Sequence, residues 1–283
     1  MLPGVWQGPM KISVSGIGIW AHGIANWEAF QDWRQSPDTL SPSAEATAPP
    51  VDIIPPREKR RVPLITRMAI EAGIQACRMA AIDPGEATTV FSSCMGDTDV
   101  TDYMCRVLAT PEKAMSPTKF HNSVHNATSG YWSIFTGGHH SGGFVGAYLQ
   151  SFATALIEAA TLTLSENKPT LLVMYDIANR NPMHDACPID APLAYALLLH
   201  AAGDTAEGRD ISLTVVAGRE DEKLKPADTT KLHFEQPGDL NPAADGLTLL
   251  AALGATGSQQ LQFAAGSGSV LNISVAAGAV PSA

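Results

Sequence analysis

Four of the chain's eight histidines fall in one segment, residues 116–152, which reads SPTKFHNSVHNATSGYWSIFTGGHHSGGFVGAYLQSF. They are His121, His125, His139 and His140. Imidazole is the commonest metal ligand in proteins, and His121 and His125 are four residues apart, the spacing of one helix face. However, no HExxH motif or cysteine accompanies them, and the flanking residues predict that a helix begins only near Ser123. A structural role is therefore favoured over a metal site, and the role of the cluster stays open.

Two short glycine motifs could serve other chemistries. A serine hydrolase needs a GxSxG elbow between a strand and a helix, and Gly266-Ser267-Gly268 has neither that spacing nor that context. Gly16-Ile17-Gly18 is a fragment of a dinucleotide fingerprint, without the third glycine and the acidic residue that should follow. Both functions are rejected.

The cysteines and apolar runs bear on the compartment of the protein. Cys77, Cys94, Cys105 and Cys187 form no CxxC pair and have no regular spacing, which is typical of reduced thiols. We see no signal-peptide pattern at the N-terminus, and the apolar run around residues 193–202 is too short to span a membrane. We expect a cytoplasmic protein without a membrane span.

Composition limits the possible partners. The chain has 283 residues, of which 45% are hydrophobic and 16% charged, as in an ordinary globular protein with an ample core. Its net charge of −10 argues against nucleic acid and anionic membranes, because both require basic patches. An acidic carrier protein is less clearly excluded, since the local basic segment Arg57–Arg61 could bind one.

Strand and helix patterns alternate along the chain. Strands are predicted at 11–20, 88–93, 143–148, 169–176, 193–200 and 211–216. Helices are predicted at 26–34, 63–81, 100–108, 124–135 and 151–164. The run PTLLVMYD at 169–176 is continuously apolar, as expected of a strand buried on both faces. The alternation predicts an α/β fold with helices on both faces of the sheet.

Five segments, taken in order and spacing, resemble the N-terminal half of the β-ketoacyl synthase (thiolase-like) family. They are KISVSGIGIWAHGIANWEAF, ITRMAIEAGIQACRMAAIDP, TTVFSSCMGD, SPTKFHNSVHNATSGYWSIFTGG and SFATALIEAATLTLSENKPTLLVMYD. The resemblance implies a truncated thiolase-like fold with a mixed sheet. It divides the chain into an N-terminal extension, residues 1–10, and one domain, residues 11–283. Within that domain, 11–218 would be the N-terminal half and 219–283 a remnant of the C-terminal half, with a helix in LNPAADGLTLLAALGA and a strand in FAAGSGSVLNISVA.

The resemblance also implies where a nucleophile should stand. In active ketosynthases the strand after the glycine turn delivers a cysteine at the start of the next helix, where partial positive charge stabilises a thiolate. That position falls on Leu149, between Tyr148 and Gln150, and none of the three is a nucleophile. The family's catalytic histidines and lysine belong to a C-terminal half for which too few residues follow Val216, and His233 there lies outside any recognisable motif. The resemblance thus implies no catalytic residue in this chain.

Such losses are characteristic of chain length factors, which pair with an active ketosynthase and shape its product tunnel. The segment FHNSVHNATSGYWSI is most similar to the aryl polyene and xanthomonadin type. The resemblance implies an active ketosynthase homologue as partner, in a heterodimer or heterotetramer. An acyl carrier protein would be engaged through that complex, with no cofactor and no metal.

The resemblance implies that the strand GGFVGAYL pairs with the partner. This strand has no charged residue, and its apolar edge would be prone to aggregate if it were left unpaired. The candidates for the tunnel or interface are Tyr103, Met104, Val107, Leu108, Tyr131, Phe135, Phe144 and Val145. Ordinary core packing is at least as good an explanation for any one of the first six residues. An enzymatic alternative also stays open, either a divergent acyltransferase using Cys94 or Cys105 or a metal-dependent hydrolase using the histidines.

Overall fold

The computed structural model describes residues 8–35, 48–204, 208–218, 241–266 and 268–278. The strands are β1 (Met10–Ala21), β2 (Thr88–Ser92), β3 (Gly142–Val145), β4 (Thr170–Asp176), β5 (Leu193–Ala201), β6 (Arg209–Ala217), β7 (Gln259–Ala264) and β8 (Ser269–Val275). The helices are α1 (Trp27–Gln35), α2 (Leu64–Met79), α3 (Thr98–Leu108), α4 (Pro117–His121), α5 (Ala127–Thr136), α6 (Ser151–Glu166), α7 (Met183–Ala186) and α8 (Asp245–Leu253). None of these helices is long and apolar enough to cross a membrane.

All the described strands join one mixed sheet in the order β3-β2-β4-β5-β1-β6-β8-β7. β2 pairs in parallel with both β3 and β4, and the remaining neighbours are antiparallel. β3 and β7 are therefore the two edges of the sheet. The predicted mixed α/β sheet is confirmed.

Helices cover both faces of this sheet, as the sequence predicted. On β4, Leu172 and Met174 join a core with α1, α6 and α8, whereas Leu171 and Val173 join a second core with α2 and α5. Because side chains alternate between faces along a strand, two-sided burial requires an uninterrupted apolar run. Burial on both faces of β4 therefore explains the uninterrupted apolar run at 169–176.

Two glycines of β1 let α2 lie unusually close to the sheet. A Cβ on Gly16 would stand 2.0 Å from the Ala76 carbonyl oxygen, and one on Gly18 would stand 1.9 Å from that of Ala72. Real Cβ atoms do not approach carbonyl oxygens this closely, so any side chain would push the helix away. The glycines that resemble part of a dinucleotide motif thus serve helix–sheet packing.

The structure corrects two predicted elements. The helix predicted at 124–135 begins only at Ala127, as α5, and a separate short helix, α4, forms before Ser123, where no helix was predicted. Between the two helices Asn122 and Ser123 donate side-chain hydrogen bonds to the carbonyl oxygens of Arg61 and Phe120. The strand predicted at 143–148 ends at Val145, and residues 148–150 form a 3₁₀ turn. α8 and the β7–β8 hairpin occupy the C-terminal segments that were predicted to form a helix and a strand.

Candidate functional site

The corner between β3 and α6 is wound tightly around one serine. Ser151 Oγ accepts a hydrogen bond from the Ala147 N–H (3.0 Å) and donates one to the Tyr148 carbonyl oxygen (2.7 Å). Tyr148 has a φ of 50°, a left-handed conformation that is rare for residues other than glycine. The strand–turn–helix corner that the sequence predicted is therefore present, and Tyr148–Gln150 form its turn.

The side chains at this corner are apolar or neutral. Tyr148 and Leu149 are exposed by 45% and 38%, and Gln150 is half-buried at the N-cap of α6 without capping it. Tyr148 Oη donates a hydrogen bond to the Ala186 carbonyl oxygen (2.9 Å). The helix N-terminus could stabilise an anion, but none of these three side chains supplies a thiol or a carboxylate.

A buried carboxyl group lies at the carboxyl end of β4. Asp176 is 1% exposed, and its Oδ1 accepts hydrogen bonds from Ser93 Oγ (2.8 Å) and the Cys94 N–H (2.9 Å). Among the residues that the structure describes, no donor reaches its Oδ2 within hydrogen-bonding geometry. Burial raises the pKa of Asp176 to about 7, and its hydrogen bonds only partly oppose this rise. Sequence reasoning did not single out this residue, because an aspartate at a strand end gives no sign of its burial.

Two cysteines lie in contact near this carboxyl group. Cys94 Sγ and Cys187 Sγ are 3.8 Å apart, although 93 residues separate them in the sequence. Burial above all, and then the neighbouring Asp176 and Cys187, raise the pKa of Cys94 well above its usual range. Cys77 is also buried, and burial raises its pKa to about 12. Because the thiolate is the nucleophile, Cys94 is poorly suited to acyl transfer.

The four histidines do not form one site. His121 ends α4 against the Tyr131 ring (5.7 Å between centroids), and His125 lies in the α4–α5 turn against Phe144 (5.1 Å). His140 Nε2 lies 3.5 Å from a carboxylate oxygen of Glu86, and His139 is exposed. Within the described ranges no group of three or more histidine, cysteine or acidic residues could hold a metal ion.

The candidates on α3 lie at the surface of the chain. Tyr103, Met104 and Val107 are half-buried, and Leu108 is 55% exposed. Tyr103 Oη accepts a hydrogen bond from the Ser116 N–H (2.9 Å), which fixes the ring against the start of α4. Packing within this chain therefore leaves part of each side chain uncovered.

The remaining candidates lie beside β3. Tyr131 and Phe135 stack on α5 with centroids 5.7 Å apart, and both are half-buried. Phe144 packs partly against the core on the α2 face, and Val145 packs partly against the opposite core. None of these four side chains is fully buried.

Six large apolar side chains in α3, α4, α5, the α4–α5 turn and the turn after β3 are exposed by between 38% and 69%: Leu108, Phe120, Val124, Ile134, Tyr148 and Leu149. Of these, Tyr148 and Leu149 lie in the turn that follows β3. The outer edge of β3 has no neighbour among the described strands. Exposed apolar side chains next to an unpaired strand edge are candidates for an interaction site.

Solved structures of ketosynthase systems share this architecture. A ketosynthase in complex with its chain length factor from Xenorhabdus doucetiae matches with a TM-score of 0.68 and 20% identity, over 93% of this chain and 99% of that one. The ishigamide ketosynthase/chain length factor matches with a TM-score of 0.69 and 12% identity, over 95% of this chain and 100% of that one. A bacillaene synthase ketosynthase from Bacillus amyloliquefaciens matches with a TM-score of 0.54 and 14% identity, over 75% of this chain and 47% of that one.

At these identities the structural matches establish the fold alone. No curated protein matches the sequence significantly. The sequence profile of the β-ketoacyl synthase N-terminal domain, however, matches residues 30–260, which is most of the chain. The chain therefore belongs to the β-ketoacyl synthase N-terminal domain family.

Proposed function

We propose that this protein is a non-catalytic chain length factor of the aryl polyene or xanthomonadin type. It pairs with an active ketosynthase homologue, as a heterodimer or heterotetramer, and shapes the acyl tunnel in which a polyene grows. One observation carries the proposal: the turn where the family places its nucleophile reads Tyr148-Leu149-Gln150, beside an open strand edge.

The edge of β3 supports a protein partner. The strand holds no charged residue, and its outward N–H and C=O groups face no other described strand. An exposed edge of this kind templates pairing with another chain unless something covers it. The exposed side chains of Tyr148 and Leu149, in the turn that follows β3, would extend such an interface beyond the strand itself, since apolar burial drives association.

The α3 candidates support a role in setting chain length. Tyr103, Met104, Val107 and Leu108 present apolar area that this chain leaves uncovered. A partner bound to β3 would bring its own acyl tunnel towards this helix, and these side chains would form the tunnel floor. Tyr131 and Phe135 would support them from behind.

A groove with three cationic and two acidic side chains supports engagement of an acyl carrier protein by the complex. Arg60, Arg61 and Lys119 line a groove of about 360 Å³, together with Asp97 and Asp99. Charge complementarity raises association rates even where it adds little affinity. In a chain with a net charge of −10, such a local concentration of cations suits an acidic partner.

Co-expression with candidate ketosynthases tests the proposal. The tagged chain should co-purify with an active homologue at 1:1 stoichiometry and should aggregate when expressed alone, because β3 and its apolar surroundings are then uncovered. Size-exclusion chromatography with light scattering would measure both states. A well-behaved monomer that binds no ketosynthase would refute the proposal.

A further inference from the structure

The contact between Cys94 and Cys187 has no role in the proposed function. Cys94 lies just beyond the end of β2, and Cys187 follows the last residue of α7. Their sulfur atoms are 3.8 Å apart, in van der Waals contact. A disulfide bond measures about 2.05 Å, so the two sulfurs need to approach by less than 2 Å to bond.

Hydrogen bonds hold the backbone on both sides of this contact. The Cys94 N–H donates to Asp176 Oδ1 (2.9 Å), which ties the end of β2 to β4. Asn179 Nδ2 donates to the Cys187 carbonyl oxygen (2.6 Å), and Thr98 Oγ1 donates to Asn179 Oδ1 (2.9 Å). The approach of the two thiols is therefore built into the fold rather than produced by chance orientation of mobile loops.

The two thiols differ in accessibility. Cys94 is partly exposed, whereas Cys187 is fully buried. A small oxidant would therefore react first at Cys94. The buried Cys187 would then attack the modified Cys94 sulfur. This is the arrangement of an attacking and a resolving cysteine.

We propose that Cys94 and Cys187 form a redox modification site that small-molecule disulfides, such as glutathione disulfide, close to an intramolecular disulfide. Cys94, having lost its proton to solvent, attacks one sulfur of the oxidant and expels the other as a thiolate. Cys187 then loses its proton and attacks the Cys94 sulfur, which forms the Cys94–Cys187 bond and expels the second thiolate. Two protein thiols are oxidised, one small disulfide is reduced to two thiols, and the released protons return to those thiolates.

The closed bond would constrain the corner of the candidate site. Cys187 directly follows Ala186, whose carbonyl oxygen accepts the Tyr148 hydrogen bond. Burial raises the pKa of Cys94, so its thiolate fraction is small and the bond should form slowly. The extent of oxidation after long incubation is therefore the appropriate measurement.

Mass spectrometry of the full chain tests the proposal. The chain is incubated with glutathione disulfide at mildly alkaline pH, denatured, alkylated with iodoacetamide and digested. We expect a loss of about 2 Da, two alkylated thiols rather than four, and a linked peptide pair containing Cys94 and Cys187. The melting temperature should rise by roughly 5–15 °C, because the bond closes a loop of almost a hundred residues, and dithiothreitol should reverse the rise.

Two sets of variants control this experiment. The double variant Cys77→Ala/Cys105→Ala keeps the pair and should give the same linkage, whereas Cys94→Ala should give none. The double variant keeps the test decisive even if Cys94→Ala fails to fold. Complete alkylation of Cys94 and Cys187 in the oxidised chain, with glutathione found only on Cys105, would overturn the proposal. The result is independent of ketosynthase binding, so either proposal can fail alone.

Discussion

Replacing Phe144 with proline should weaken binding to a ketosynthase without unfolding the chain. The Thr89 N–H donates to the Ser141 carbonyl oxygen (3.2 Å), so the backbone groups of Ser141 face β2. In a parallel ladder alternate residues face the same neighbour, which turns the N–H and C=O of Phe144 towards the open edge. Proline lacks the N–H and is tolerated at such an edge position.

The expected magnitude follows from one lost hydrogen bond. If β3 pairs with a partner strand, Phe144→Pro leaves one partner carbonyl without a donor in a buried interface. An unsatisfied buried group costs about 1–3 kcal/mol, which corresponds to a roughly 5- to 150-fold rise in Kd. The β2–β3 ladder should stay intact, because the groups of Gly143 and Val145 that bond β2 are unchanged.

Phe144→Ala is the matched control. Both variants lose the ring that packs against His125 and the core, but only the proline variant loses the N–H. Affinity for the ketosynthase would be measured by biolayer interferometry, and folding by thermal denaturation. Equal affinities for two folded variants would show that β3 does not pair with the partner and would refute the edge-strand argument.

Four further substitutions have defined expectations. Met104→Ala and Leu108→Ala should lengthen the product by about one two-carbon unit, since each opens a cavity of that order; unchanged product masses from intact complexes would remove both residues from the tunnel. Asp176→Asn should remove a pH dependence of stability. Since the native pKa of Asp176 is about 7 against an ordinary 3.8, the wild type should lose roughly 4 kcal/mol between about pH 4 and pH 7, and urea titrations at each pH would detect no such loss in the variant. Gly18→Ala should destabilise the chain by several kcal/mol, because its Cβ would meet the Ala72 carbonyl oxygen, and a melting temperature equal to that of the wild type would contradict the packing argument.

Sequence patterns predicted the elements whose side chains meet a uniform environment. The apolar runs of β4 and β5 are buried on both faces, so every position carries the same signal. α2 is long and has a broad apolar face, and its predicted extent differs from the observed one by one residue at the start and two at the end. Boundaries failed where side chains compete with the backbone for hydrogen bonds, as Asn122 and Ser123 do between α4 and α5.

The candidate site was predictable only where it depends on chain order. The corner at Tyr148–Gln150 follows from a strand, a turn and a helix in succession, whereas the edge position of β3 was expected from the family resemblance and not from its residue pattern. The contact between Cys94 and Cys187 depends on strand order in the sheet, which residue spacing does not encode. The histidines show the opposite relation between sequence and structure. His121 and His140 lie in one short segment of the sequence, but His121 contacts Tyr131 of α5 and His140 lies near Glu86.

The location of the acyl thioester during turnover tests the central claim most directly. The chain would be combined with its ketosynthase and an acyl-loaded carrier protein, stopped during turnover and analysed by peptide mass spectrometry. The account predicts an acyl adduct on a cysteine of the ketosynthase alone, with condensation largely unaffected when Cys77, Cys94, Cys105 and Cys187 are replaced by alanine or serine. An acyl adduct on any of these four cysteines would contradict it.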